Sequence, residues 1–163
     1  MKEHIICRDL EIFGQNLNFI CSRNTYTNQQ FSELIEYDRS RINGLFLGRQ
    51  NIRLNTALRI ANNSGYSLSS LFNASFIDDD DYRKKHHIKD VSDTLQIFIA
   101  SFSALYTAHN TSQAKLAEQI DLSAETLSRL LHNKIPNPTI QTMSKLASAT
   151  NKSLSYLLRK DSL

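Results

Sequence analysis

A segment of this chain recurs 85 positions further on. Residues 27–48, TNQQFSELIEYDRSRINGLFLG, lie over residues 112–133, SQAKLAEQIDLSAETLSRLLHN, with Glu33 on Glu118, Ile35 on Ile120 and Leu45 on Leu130. Other matches are of kind rather than identity: Phe31 on Leu116, Tyr37 on Leu122, Ile42 on Leu127, and the small Ser32 on the small Ala117. One more residue of shift carries the agreement downstream. Leu54 then meets Ile140, Ala57 meets Met143, Ile60-Ala61 meets Leu146-Ala147, and Ser67-Leu68 meets Ser153-Leu154. Upstream, Phe13, Leu17 and Ile20 meet Phe98, Phe102 and Leu105. The period is too long for a stacked solenoid, so the pattern predicts two tandem copies of one small domain. The expected division is 9–72, a charged linker at 73–90, and 91–160.

Composition narrows what each copy folds into. The 163 residues include only 4 Gly and 2 Pro, which disfavours hairpin-rich β architectures, and no stretch alternates like a strand for long. The expected class is all-α. The apolar stretch at 97–104 is broken by Ser101 and Ser103, and no segment approaches the ~20 apolar residues that span a bilayer. The opening MKEHIICRDLEIF has no apolar core followed by a small-residue cleavage site, so no signal peptide is expected and the expected location is the cytoplasm, at the nucleoid.

Cys7 and Cys21 show neither CxxC spacing nor a histidine pattern and are read as ordinary thiols. No Ser/His/Asp order, glycine-rich phosphate loop or paired carboxylates point to an enzyme, and no cofactor or metal is expected. Asp78-Asp79-Asp80-Asp81 does not open a calcium loop, because Arg83 and Lys89 stand where Gly and Glu are required. His86-His87 are adjacent and diverge on a helix instead of pairing on a metal.

Apolar spacing predicts five helices per copy. In the second copy the first spans 93–108, with Leu95, Phe98, Ile99, Phe102, Leu105 and Tyr106 on one face, and His109-Asn110 ends it. Thr111 or Ser112 caps the second, Ser123 the third, Thr139 the fourth and Ser153 the fifth; Pro136 and Pro138 stop the third. The first copy gives helices at 11–22, 29–36, 39–47, 55–63 and 68–72, with Asp38 capping the third. In each copy a short second helix, a turn plugged by Leu122 or Tyr37, and a capped third helix follow one another. The small Ala117 or Ser32 admits the third helix closely, and its apolar residues anchor it with the polar face outward.

The second copy resembles the lambda-repressor-like, Cro/CI-type (XRE-type) helix-turn-helix family. The likeness is carried by Ser112-Gln113-Ala114-Lys115-Leu116-Ala117, Leu122-Ser123, Thr126-Leu127-Ser128-Arg129-Leu130, Pro138, Ile140, Leu146-Ala147 and Leu154 to Leu157. The first copy matches more loosely. The resemblance implies tandem five-helix DNA-binding domains and a transcriptional regulator of the phage or bacterial repressor type, acting on a double-stranded operator. The first copy departs at Asn28, where the family usually has Gln, and at Gly44, where the second copy has Arg129. The second copy has Leu131-His132-Asn133 where the family often ends Glu-x-Gly, and Asn is the usual substitute for Gly in a left-handed cap.

The resemblance places Gln113, Ala124, Glu125, Thr126 and Arg129 toward base edges, with Asn28, Arg39 and Ser40 at the same places in the first copy. Arg129 suits guanine and Glu125 suits a cytosine amine. Ser123, Ser128, Asn133 and Lys134, with Arg41, Asn43, Arg49 and Arg53, are expected on phosphates, which position rather than specify. Net charge is only +3, but Arg39, Arg41, Arg49 and Arg53 follow Asp38 with no further acid among them. Either one chain covers two half-sites as an intrachain pseudo-dimer, or the chain forms a homodimer in which the second copy reads DNA and the first adds phosphate contacts or an interface. From another class comes a protein–protein or antirepressor-like module, favoured by Gly44 and the apolar Leu45-Phe46-Leu47, with Phe46 as an exposed docking residue.

Overall fold

The computed structural model describes residues 7–76, 90–106 and 112–159. Among these, the regular structure is helical apart from one antiparallel bridge between Arg53 and Thr139. The order is α1 (Arg8–Arg23), α2 (Asn28–Ile35), a 3-10 turn (Arg39–Arg41) running into α3 (Ile42–Phe46), α4 (Leu54–Ser64) and α5 (Leu68–Leu71). There follow α6 (Val91–Tyr106), α7 (Gln113–Gln119), α8 (Ala124–Leu131), α9 (Ile140–Ser148) and α10 (Leu154–Leu157). The expected break at His109-Asn110, the alternative cap Thr111, the aspartates 78–81 and His86-His87 lie outside the described residues.

Side-chain oxygens start most of these helices by taking a backbone N–H that the helix leaves unpaired. Ser67, Ser112, Ser123, Thr139 and Ser153 each accept from the residue that needs it. Thr27 and Gln30 satisfy each other reciprocally as a capping box. One expected helix is altered. Residues 39–47 are not one α-helix: Asp38 accepts from both the backbone N–H and the hydroxyl of Ser40, two residues on. That short loop tightens the first turn to 3-10, and Asn43 and Gly44, both poor helix formers, leave only five α residues behind it.

Gly14 sets how α1 meets α3. A Cβ there would collide with the carbonyl oxygens of Leu45 and Phe46, so the helices cross backbone on backbone. Gly48, at φ +70°, turns the chain away beside Glu11. Phe13 stacks on Phe72 with ring centroids 4.8 Å apart, and Phe31 packs near Phe46. Buried side chains on both sides of residues 73–90 join one cluster, including Phe13, Phe31 and Leu71 with Phe98, Leu127 and Leu154. Each such burial contributes ~1.5–3 kcal/mol. The start of the expected linker is part of this packing: Phe76 lies edge-on to Phe19 and against Tyr66, and Asn16 donates to Leu71 O and Asn73 O.

The contact between the halves follows a two-fold pattern in the numbering. Leu54 N–H donates to Pro138 O at 2.9 Å, and Ile140 N–H, 86 residues on, donates to Ile52 O at 2.8 Å. Asn55 N–H donates to Asn137 Oδ1 at 2.9 Å, and Gln141 N–H donates to Asn51 Oδ1 at 3.2 Å. Exchanging each residue for the one 86 away maps these bonds onto each other, the mark of an isologous contact. The bridge of Arg53 with Thr139 is its centre. Nearby, α5 packs on α10, and Ser155 Oγ donates to Ser69 O at 2.6 Å. Leu71, Leu154 and Leu157 are fully buried there.

Candidate nucleic-acid interface

The second half builds its exposed helix from the capping chemistry of three residues. Ser112 accepts from Lys115 N–H and starts α7, which buries Leu116 and Ala117. Asp121 turns the chain at φ 55°, and Leu122 packs partly buried against the core. Ser123 then accepts from Thr126 N–H at 3.0 Å and donates to Thr126 Oγ1 at 2.8 Å. The helix so started, α8, buries Leu127 and Leu130 fully and turns Ala124, Glu125 and Arg129 to solvent. Asn133 closes it at φ 58°, where a short polar side chain is tolerated, and Lys134 N–H returns to Arg129 O at 2.7 Å.

Of the residues expected on bases, Gln113, Glu125 and Arg129 are exposed and make no side-chain hydrogen bond or ion pair among the described residues. Ala124 is exposed beside them. Thr126 is half-buried and tied to Ser123, so both hydroxyls are engaged in the cap. Ser128 is half-buried, with its carbonyl and hydroxyl facing His132 Nδ1. Asn133 and Lys134 are exposed at the end of the helix. Lys145 reaches back to the α7–α8 turn, donating to Asp121 O at 3.0 Å with Asp121 Oδ2 at 3.5 Å.

The equivalent surface of the first half is wired differently. Asn28 Nδ2 donates to Asn43 Oδ1 at 3.1 Å, Arg39 donates to Gln29 Oε1 at 3.2 Å, and Arg41 donates to Gln50 Oε1 at 2.6 Å. Ser40 is held by Asp38, and those bonds keep the Asp38 carboxyl below its usual range. Arg41 also lies over the Tyr37 ring, 5.9 Å from its centroid. Burial pushes the Tyr37 phenol up, and its hydroxyl is buried without a partner among the described residues. Arg49 is exposed and makes no such bond. Arg53 is exposed at the central bridge, where its guanidinium donates to Asn137 O at 3.0 Å.

One expectation changes here. Phe46 is not an exposed docking residue: it is 9% exposed and packs on Phe31, because the close crossing at Gly14 draws that end of α3 inward. Leu47, one position on, is the exposed one at 54%. The cross-half partners Asn51, Asn137 and Gln141 are residues that no helix or motif pattern in the sequence singles out. Asn51 and Asn137 share one place in the repeat, each two residues before the cap of the fourth helix, and that coincidence was the available signal.

A helix-turn-helix family model matches residues 104–157, which takes in the end of α6 and all of α7 to α10. The match shows that this segment is similar to that family, whose helix-turn-helix is a DNA-binding type. No curated protein and no solved structure matches the chain. No helix among the described residues is long and apolar enough to cross a membrane.

Proposed function

We propose that the chain is a sequence-specific DNA-binding transcriptional regulator of the repressor type, built from two tandem five-helix domains, 9–72 and 91–160. One chain acts as an intrachain pseudo-dimer on a double-stranded operator. The observation that carries this is α8: a capped helix anchored by Leu127 and Leu130 with Glu125 and Arg129 exposed and unengaged, as is Gln113 at the start of α7, all inside the matched segment. Such a helix fits the major groove, with its N-terminal residues at base edges and Asn133 and Lys134 at the backbone. The two-fold bonds around Arg53 and Thr139 support the pseudo-dimer, since they relate the two halves of one chain as the subunits of a DNA-binding dimer are related. A homodimer would place four such helices on one site.

The test is a gel shift with fragments of genomic DNA at physiological salt, followed by footprinting of any retained fragment and light scattering of the complex. One chain per footprint supports the proposal. Failure to retain any fragment overturns it, and two chains per footprint replace the pseudo-dimer with the homodimer. A protein-docking role remains tied to one observation, the exposure of Leu34 (39%) and Leu47 (54%) on the first half. It predicts that no specific fragment is retained.

A further inference from the structure

The scaffold is two-fold but the surfaces it presents are not. At the shift of 85, Arg129 corresponds to Gly44, Glu125 to Ser40 and Gln113 to Asn28. In the second half these three are long, charged or amide-bearing side chains with no partner to surrender. In the first half the corresponding groups are short, missing or already engaged, by Asp38 for Ser40 and by Asn43 for Asn28. Gly44 supplies no group, and the space a Cβ would take is filled: it would come within 2.7 Å of Gln50 Nε2, on the side chain whose Oε1 accepts from Arg41. The segment itself differs, a 3-10 turn and a five-residue helix against the eight residues of α8.

What the first half has in excess is positive charge. Arg39, Arg41 and Arg49 are exposed with no ion pair among the described residues, where the second half has Ala124, Thr126 and Lys134. Their guanidinium groups need not leave Gln29 or Gln50 to neutralise phosphate, because each retains further N–H donors.

Resting on the DNA-binding proposal above, we infer that the two halves read one operator unequally. Residues 112–134 specify a base sequence, and residues 27–49 hold the sugar–phosphate backbone beside it with little base preference. The operator is therefore asymmetric despite the two-fold scaffold. Arg39, placed by sequence among the base readers, belongs with Arg41 on the backbone.

The experiment is selection of bound duplexes from a random pool by the full chain, repeated with Arg129→Ala and with the pair Arg39→Ala, Arg41→Ala. All three residues are exposed, and a thermal melt checks that each variant stays folded. The expected motif has one specified block and no mirror-related copy. Arg129→Ala loses preference at one position of that block, by roughly ten- to a hundredfold. The Arg39, Arg41 pair keeps the same motif, binds every sequence more weakly, and flattens the log–log salt dependence by about 2. A motif of two equal inverted blocks overturns the inference while leaving the DNA-binding proposal standing. So does a motif that changes in the Arg39, Arg41 variant. A pool in which nothing enriches overturns both.

Discussion

Helix α4 has no side-chain cap of its own, and the other half of the chain supplies one. Its N-cap residue, Arg53, makes no side-chain capping bond. The first two free N–H groups go across the two-fold contact instead, Leu54 to Pro138 O and Asn55 to Asn137 Oδ1, each at 2.9 Å. Asn137→Ala removes a cap in all but sequence position. Loss of an Asn cap costs ~1 kcal/mol, and with m near ~2 kcal/mol/M the urea midpoint falls by ~0.5 M. The two-fold mate behaves differently. Asn51→Ala frees Gln141 N–H, but α9 keeps Thr139, whose hydroxyl accepts from Thr142 N–H at 3.3 Å. Its cost is expected at about half as much. Asn137→Asp keeps an acceptor and adds a negative charge at a helix N-terminus, so it should restore wild-type stability or exceed it. Urea unfolding of the three variants at neutral pH, followed by circular dichroism, decides the matter. Equal costs for Asn137→Ala and Asn51→Ala, or no rescue by Asp, would refute trans-capping as the source of the effect.

Gly14→Ala forces α1 off the carbonyls of Leu45 and Phe46 and should destabilise by ~1–3 kcal/mol in the same denaturation assay, whereas Ile99→Ala, at the corresponding place, creates no such clash. Asp9 lies at the α1–α9 contact, where burial raises its carboxyl pKa more than the Ser144 hydroxyl and Arg8 lower it. A raised carboxyl binds its proton more readily in the folded chain, so the charge penalises folding above the raised value and is relieved as pH falls through it. Asp9→Asn should thus be more stable than wild type at neutral pH, with the gain vanishing in acid; a variant no more stable at pH 7 refutes this. Asp38 has the opposite sign. Its carboxyl is held low by Ser40, so its contribution is present above the ordinary carboxylate value and is lost as pH falls through the lowered one. Asp38→Ala should therefore differ most from wild type at neutral pH, and a difference that persists unchanged to pH 2 would contradict the cause given.

What the sequence made legible, and what it hid, divide along burial. Positions such as Leu127 and Leu130, or Ile42 and Leu45, announce themselves because a buried helix face admits only apolar residues at fixed spacing, and caps announce themselves because few side chains reach the N–H groups of a first turn. Ser123, Thr139 and Ser153 were legible on that ground. The tightened turn at Arg39–Arg41 was not, because Asp serves equally as an α cap and as a two-residue acceptor. Nor was the cross-half bonding, since an Asn in a polar loop carries no mark of whose helix it caps. The same division explains why a two-fold scaffold carries unequal surfaces. Each trans bond of Asn51 and Asn137 completes a helix in the other half, so altering one end exposes an N–H elsewhere. The Arg129 side chain completes no bond in the fold, and a side chain at Gly44 would have only the end of Gln50 to displace, so stability sets little penalty on their divergence beyond the ~1 kcal/mol a helical glycine costs. Symmetry is thus enforced where residues are answerable to the opposite half, and the fold leaves the residues of the exposed face free to differ.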